Sequence, residues 1–158
     1  MNKKYNEYEK KLISNVNEHG WQYNHVFDPE GKDPDFTYSI GFPQTLNAPE
    51  IIVFGLPKHI TQHMLWEMFR QVKDGAMIFD GAVWEDLLEG HFCITRKAMH
   101  KDLYSEYLVS SNWFWKETGN EGPLEVYQLV WPGAVDGRFP WDKNCSQDVI
   151  DAQFQLWS

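Results

Sequence analysis

Cysteine is scarce in this chain: Cys93 and Cys145 are the only two among 158 residues. Two thiols make no disulfide framework, and the cytoplasm, which keeps thiols reduced, is the expected compartment. No apolar run approaches the roughly 20 residues of a membrane-spanning helix. The stretch Met1-Asn2-Lys3-Lys4-Tyr5-Asn6-Glu7 is polar, with no apolar segment behind its lysines, so no signal peptide is expected. Cations are also in short supply, 14 Lys and Arg against 23 Asp and Glu, a net charge of −9. The basic runs stop at the pairs Lys3-Lys4 and Lys10-Lys11. Nucleic acids and anionic membranes are gripped by clustered cations, so neither is an expected partner, and a basic protein suits the sign of the charge. Glycines do not cluster. Gly41, Gly55 and Gly90 stand alone, and Gly-x-Gly-x-x-Gly is missing, which excludes the usual phosphate cradle.

Aromatic rings are abundant: eight Trp, seven Tyr and ten Phe make up 16% of the chain. With 42% hydrophobic residues and no linker or repeat, residues 1–158 read as one globular domain. Residues 3–18 have helical spacing at Tyr5, Tyr8, Leu12 and Val16, closed by His19-Gly20. Residues 21–27 alternate as a strand, and 28–35 are a loop. Phe36, Tyr38, Ile40 and Phe42 predict a strand with one apolar face, opposite Thr37, Ser39 and Gly41. Residues 43–49 turn the chain into an apolar strand, 50–56, and a helix follows at 58–73. Then come a short strand at 77–79, a helical turn at 83–88, strands at 91–98 and 126–131, and helices at 101–115 and 146–157. This order predicts an α+β fold, a mainly antiparallel sheet of about five strands with helices on one face.

Few constellations carry chemistry. His59 and His63 share a helical face, His91 and Cys93 share a strand face, and together they are candidate zinc ligands. The zinc-protease spacing is absent, since Ile60 follows His59. No cofactor is expected. Ser39 lacks the Gly-x-Ser-x-Gly elbow of a hydrolase nucleophile, and Cys93, in mid-strand, reads as a buried inert thiol. After Gln128-Leu-Val-Trp131-Pro132 the turn at Asp136-Gly137 presents Arg138, Phe139 and Trp141. A guanidinium beside two rings can hold an anion, stack on a planar ligand or anchor an interface. The same rings can equally plug the end of the core.

The blocks His19-Gly20-Trp21, Phe36-Thr-Tyr-Ser-Ile-Gly41, Ala48-Pro49-Glu50-Ile-Ile-Val-Phe-Gly-Leu56, Gln128-Leu-Val-Trp-Pro132 and Asp136-Gly-Arg-Phe-Pro-Trp141 resemble a bacterial domain-of-unknown-function family, number 4262, over about residues 18–142. The resemblance implies a small soluble bacterial protein with a shared fold, and no established reaction or catalytic residues. It also implies an acidic residue straight after the Trp-Pro pair, where this chain has Gly133, with Asp136 the carboxylate that could replace it. The leading expectation is a binding module, acting on a basic partner as immunity proteins of bacterial toxins do, through Tyr38, Ser39, Trp131, Asp136, Arg138, Phe139 and Trp141. The alternatives are an enzyme or small-ligand receptor whose pocket gathers Tyr38, Ser39, His91 and Arg138, with Gly41 and Gly55 admitting a ligand to the backbone, and a zinc protein using His59, His63, His91 and Cys93.

Overall fold

A computed structural model describes residues 4–158. The first helix, α1 (Glu7–His19), starts at Asn6, whose side chain accepts from the Glu9 backbone at 2.7 Å while the Glu9 carboxylate accepts from the Asn6 backbone at 2.9 Å. This reciprocal cap fixes the entry. Gly20 ends the helix in the left-handed region (φ 90°), as the His19-Gly20 signal predicts. Of the expected helix over 3–18, Lys3 lies outside the described residues and residues 4–6 precede the helix, because the Asn6 cap starts it at Glu7.

Six strands form one mixed sheet in the order β1-β2-β3-β6-β5-β4: β1 Gln22–Val26, β2 Phe36–Ile40, β3 Glu50–Phe54, β4 Val83–Leu88, β5 His91–Lys97 and β6 Val126–Val130. All neighbours run antiparallel except the central pair, β3 and β6, which is parallel. The class is α+β, with one strand more than expected. Every residue of β2, β3 and β6 is buried, which requires cover on both sides. On one face Phe36, Tyr38, Ile52, Phe54 and Val126 pack under Leu12 and Val16 of α1 and Phe114 of α4 (Val109–Glu117). On the other, Ile51, Val53, Tyr127 and Leu129 pack under Met64, Leu65 and Met68 of α3 (Lys58–Lys73). The expectation of helices on one face is therefore corrected. Strands buried on both sides are apolar on both sides, as β3 already is in sequence.

Other local readings change for identifiable reasons. Residues 83–88 form an edge strand, not a helical turn. From Trp84 to Leu88, β4 advances four residues while β5 advances two, from Cys93 back to His91. This bulge, with Asp86 at φ 66°, turns Trp84 and Leu87 to the same side three residues apart, a spacing that imitates a helix. Residues 77–79 are irregular, and 43–49 contain a short helix, α2 (Phe42–Leu46). The helix expected over 101–115 is split into a π-helical turn, Leu103–Tyr107, and α4, broken at Leu108 (ψ 53°). The closing helix is only Gln147–Ala152 (α5), and the chain then runs extended to pair Trp157 with Ala98.

Two buried glutamines attach that tail. The Gln153 side chain accepts from Trp131 N at 3.0 Å and donates to Trp131 O at 2.8 Å. Gln128 donates to Phe154 O at 2.8 Å and accepts from Leu156 N at 2.9 Å. Each amide stands in for a strand neighbour and satisfies a backbone donor and acceptor where water is absent.

Candidate functional site

The site begins where β6 ends. Trp131 is buried, its indole donating to Phe54 O at 2.8 Å, so it anchors the corner from inside. The next residues form a tight loop closed by Gly133 N to Arg138 O and Gly137 N to Gly133 O, both 2.9 Å. Asp136 folds back to accept from Arg138 N at 3.0 Å. Its Oδ1 would lie 3.0 Å from a Cβ added at Gly133, so the Asp136 carboxylate fills the space that a side chain after the Trp-Pro pair would take. A second turn, with Asp142 Oδ2 accepting from Phe139 N at 2.8 Å and Asp142 N donating to Phe139 O at 2.8 Å, brings Trp141 flat onto Phe139. Their rings lie 5.1 Å apart and are parallel to within 2°.

This pair sits on the end of the sheet that the C-terminal segment, rather than a helix, covers. Phe139 and Trp157 are buried against Val130 and Ile94, while Trp141 keeps 40% of its surface in water. Phe92 packs 5.5 Å from Phe139 and is 45% exposed, and Val83, opposite Ile94 in register, is 58% exposed. Arg96 lies 5.1 Å over Trp141 and 5.9 Å over Trp157, and its Nε is 3.0 Å from Asp80 Oδ1. The Lys97 backbone N–H and then Arg96 hold the Asp80 carboxyl below its ordinary range. Arg138 donates to Asn144 O at 3.2 Å and lies 3.9 Å from Asp136 Oδ2. Both guanidiniums are thus committed within the chain. The exposed apolar side chains here are Val83, Phe92 and Trp141, with Glu85, Asp136 and Asp142 as carboxylates on the adjoining elements.

The family model described as Domain of unknown function (DUF4262) matches residues 15–146. The chain belongs to the DUF4262 family. Neither the curated proteins nor the solved structures yield a match. The matched span of this DUF4262 domain starts within α1, takes in all six strands and ends just before α5.

The remaining sequence candidates lie apart. Tyr38 is buried under α1 and α4, its OH accepting from Asn24 Nδ2 at 3.1 Å. Ser39 points to the opposite face and donates to Glu50 Oε1 at 2.7 Å. β2 and β5 are three strand spacings apart, about 14 Å, so Tyr38, Ser39, His91 and Arg138 share no pocket. The polar face of β2 is sealed internally. Thr37 bonds Thr61 and His25 at 2.8 Å each, and the Glu50 carboxyl also accepts from Gly41 N at 2.8 Å and Phe42 N at 3.2 Å. Burial pushes the Glu50 carboxyl up to about 8, against the pull of these donors. Gly41 admits its own chain, with Gly20 O 3.0 Å from a Cβ placed there, and Gly55 likewise meets Ala152 O at 3.0 Å. No ligand is needed to explain either glycine.

His59, His63 and His91 line one groove of about 860 Å³ with Glu85, Asp86 and Glu89. Among the described residues no three His, Cys, Asp or Glu side chains are placed to hold one metal ion. Cys93 is fully buried, and burial pushes its thiol up to about 12. Sequence reasoning missed Arg96 and Glu50. Arg96 carried a signal, since it follows Phe92 and Ile94 at spacing two on one strand face.

Proposed function

We propose that this DUF4262 protein is a binding module whose partner is a basic protein, met by the aromatic corner after β6. The observation that carries the reading is Trp141, 40% exposed yet packed between Phe139 beneath it and Arg96 beside it. A partly exposed Trp backed by buried rings is the usual anchor of an interface, and carboxylates around it form a polar rim. Arg96 and Arg138 are paired within the chain, and the chain carries −9, so a cationic partner meets unneutralised charge. An immunity-type inhibitor of a basic protein is the specific form this reading takes, in a reducing cytoplasm, where Cys93 and Cys145 stay free. The test is co-purification with a basic protein from the native host at physiological salt, using the parent and Trp141→Ala and Phe92→Ala variants of unchanged circular dichroism. The expected result is a defined basic partner, bound at least about 30-fold more weakly by Trp141→Ala, as for an interface anchor. Capture of nothing, or equal capture by both variants, refutes it.

A further inference from the structure

The two edges of the sheet are built differently. β4 is guarded: Glu85 and Asp86 on the strand and Glu89 in the following turn set carboxylates along it, and its register with β5 breaks at the bulge. Charges and bulges keep foreign strands from adding to an edge. β1 has neither. Gln22–Val26 contains no Asp, Glu, Lys, Arg or Pro and stays in register with β2 over five consecutive pairs. Among the described residues, its backbone forms no hydrogen bond outside that pairing, so the N–H and C=O groups turned away from β2 have no partner among them. α1 lies on one face of the sheet and α3 on the other, so a groove that both line must run along this edge. Such a groove exists, about 830 Å³, with Lys11 and His19 from α1, Gln22 and Tyr23 from β1, and Arg70 and Lys73 from α3. No carboxylate lines it, in a chain of −9. Lys11 and Lys73 are exposed and lack partners among the described residues. Arg70 lies 4.9 Å over the half-exposed Trp66 and bonds Glu67 at 2.8 Å.

The strand is also fixed in advance. Asn15 donates to Gln22 at 2.9 Å, Gln22 to Asn24 at 3.0 Å, and Asn24 to Tyr8 and Tyr38 at 2.7 and 3.1 Å. An edge held this way loses little freedom when it is paired. We propose that β1 receives an extended acidic peptide segment as a seventh strand, its backbone pairing along Gln22–Val26 and its carboxylates facing Lys11 on one wall and Lys73 on the other. Side chains of an added strand alternate between the two faces, so acidic residues at neighbouring positions reach both walls. A second copy of the chain fits poorly, because it would bring these cations against themselves. The edge and the aromatic corner are at opposite sides of the sheet, so this proposal is independent of the one above.

A ten-residue peptide of Val, Thr and four Glu, two on each face, with blocked ends, tests it against the whole chain. Binding is read by tryptophan fluorescence, and hydrogen exchange is read at amides 22–26. The expected result is slowed exchange at those amides and binding at least tenfold weaker for the Lys11→Glu/Lys73→Glu variant. The same loss is expected for a peptide with Lys in place of Glu, and for one N-methylated at alternate residues. Equal binding of the N-methylated peptide would mean anion capture without strand addition and overturns the proposal. So do unslowed exchange, indifference to charge reversal, and β1 protection that grows with protein concentration when no peptide is present.

Discussion

Replacing Glu50 with Gln should make the stability of this protein less sensitive to pH. The Glu50 carboxyl is 1% exposed and takes donors from Ser39, Gly41 and Phe42. Burial raises it from an ordinary 4.5 to about 8. The folded chain therefore keeps a proton that the unfolded chain releases above about 4.5. The stability due to this group is full below that pH and drains away as pH rises to about 8. Each pH unit in that window is worth about 1.4 kcal/mol, which sets a ceiling of about 5 kcal/mol for the whole of it. Glu50→Gln removes the titration but leaves one buried donor, Phe42 N–H or Gly41 N–H, facing an NH₂ group, at a cost of about 1–3 kcal/mol. Urea unfolding of both proteins from pH 5 to 8.5 reads the difference, because ionisations common to both cancel. At pH 5 the variant is expected to be the less stable, and by pH 8 the two curves should meet or cross. Parallel curves would refute the reasoning. A parent that gains on the variant as pH rises would show that the three donors outweigh burial.

Gly41→Ala should destabilise the fold by more than about 2 kcal/mol in chemical denaturation, since it combines a left-handed backbone with backbone crowding. Gly75 has nearly the same φ, 113° against 111°, but nothing within 4 Å of an added Cβ. Gly75→Ala is therefore expected to cost only the backbone part, and equal losses would show that the contact with Gly20 is unimportant. In thiol titration of the native protein, Cys145 should react and Cys93 should stay silent until denaturant is added, because only Cys145 has access to water. Two reactive thiols in the folded state would contradict the sealed face between β5 and α3.

Much of the fold is legible in sequence because the signals are local. Gly20 closes α1, the alternation from Phe36 to Ile40 marks β2, and Met64, Leu65 and Met68 mark the buried stripe of α3. What is illegible depends on neighbours distant in the chain. The bulge at Asp86 is set by β5, and it gives β4 a helical spacing of apolar residues. The polar side of β2 looked like a lining for a ligand because its partners, His25, Thr61 and Glu50, come from three separate elements. At the corner, the clustering of Arg138, Phe139 and Trp141 was legible, but their division of labour was not. Phe139 is core, Arg138 is bound to its own loop, and the exposed ring is Trp141, with Arg96 supplied by a strand some forty residues earlier.

The parallel pairing of β3 with β6 sets a schedule for synthesis. Residues 55–125 separate the two strands, so β3 waits for most of the polypeptide to leave the ribosome before its second neighbour exists. At about 5–20 residues per second that interval lasts roughly 4 to 14 s. During it, the uncovered side of Glu50–Phe54, the most apolar strand of the sheet, has no native mate. A nascent chain of this architecture is therefore most in need of chaperone shelter in the window before Val126 emerges, and slow translation between α3 and β6 prolongs that exposure.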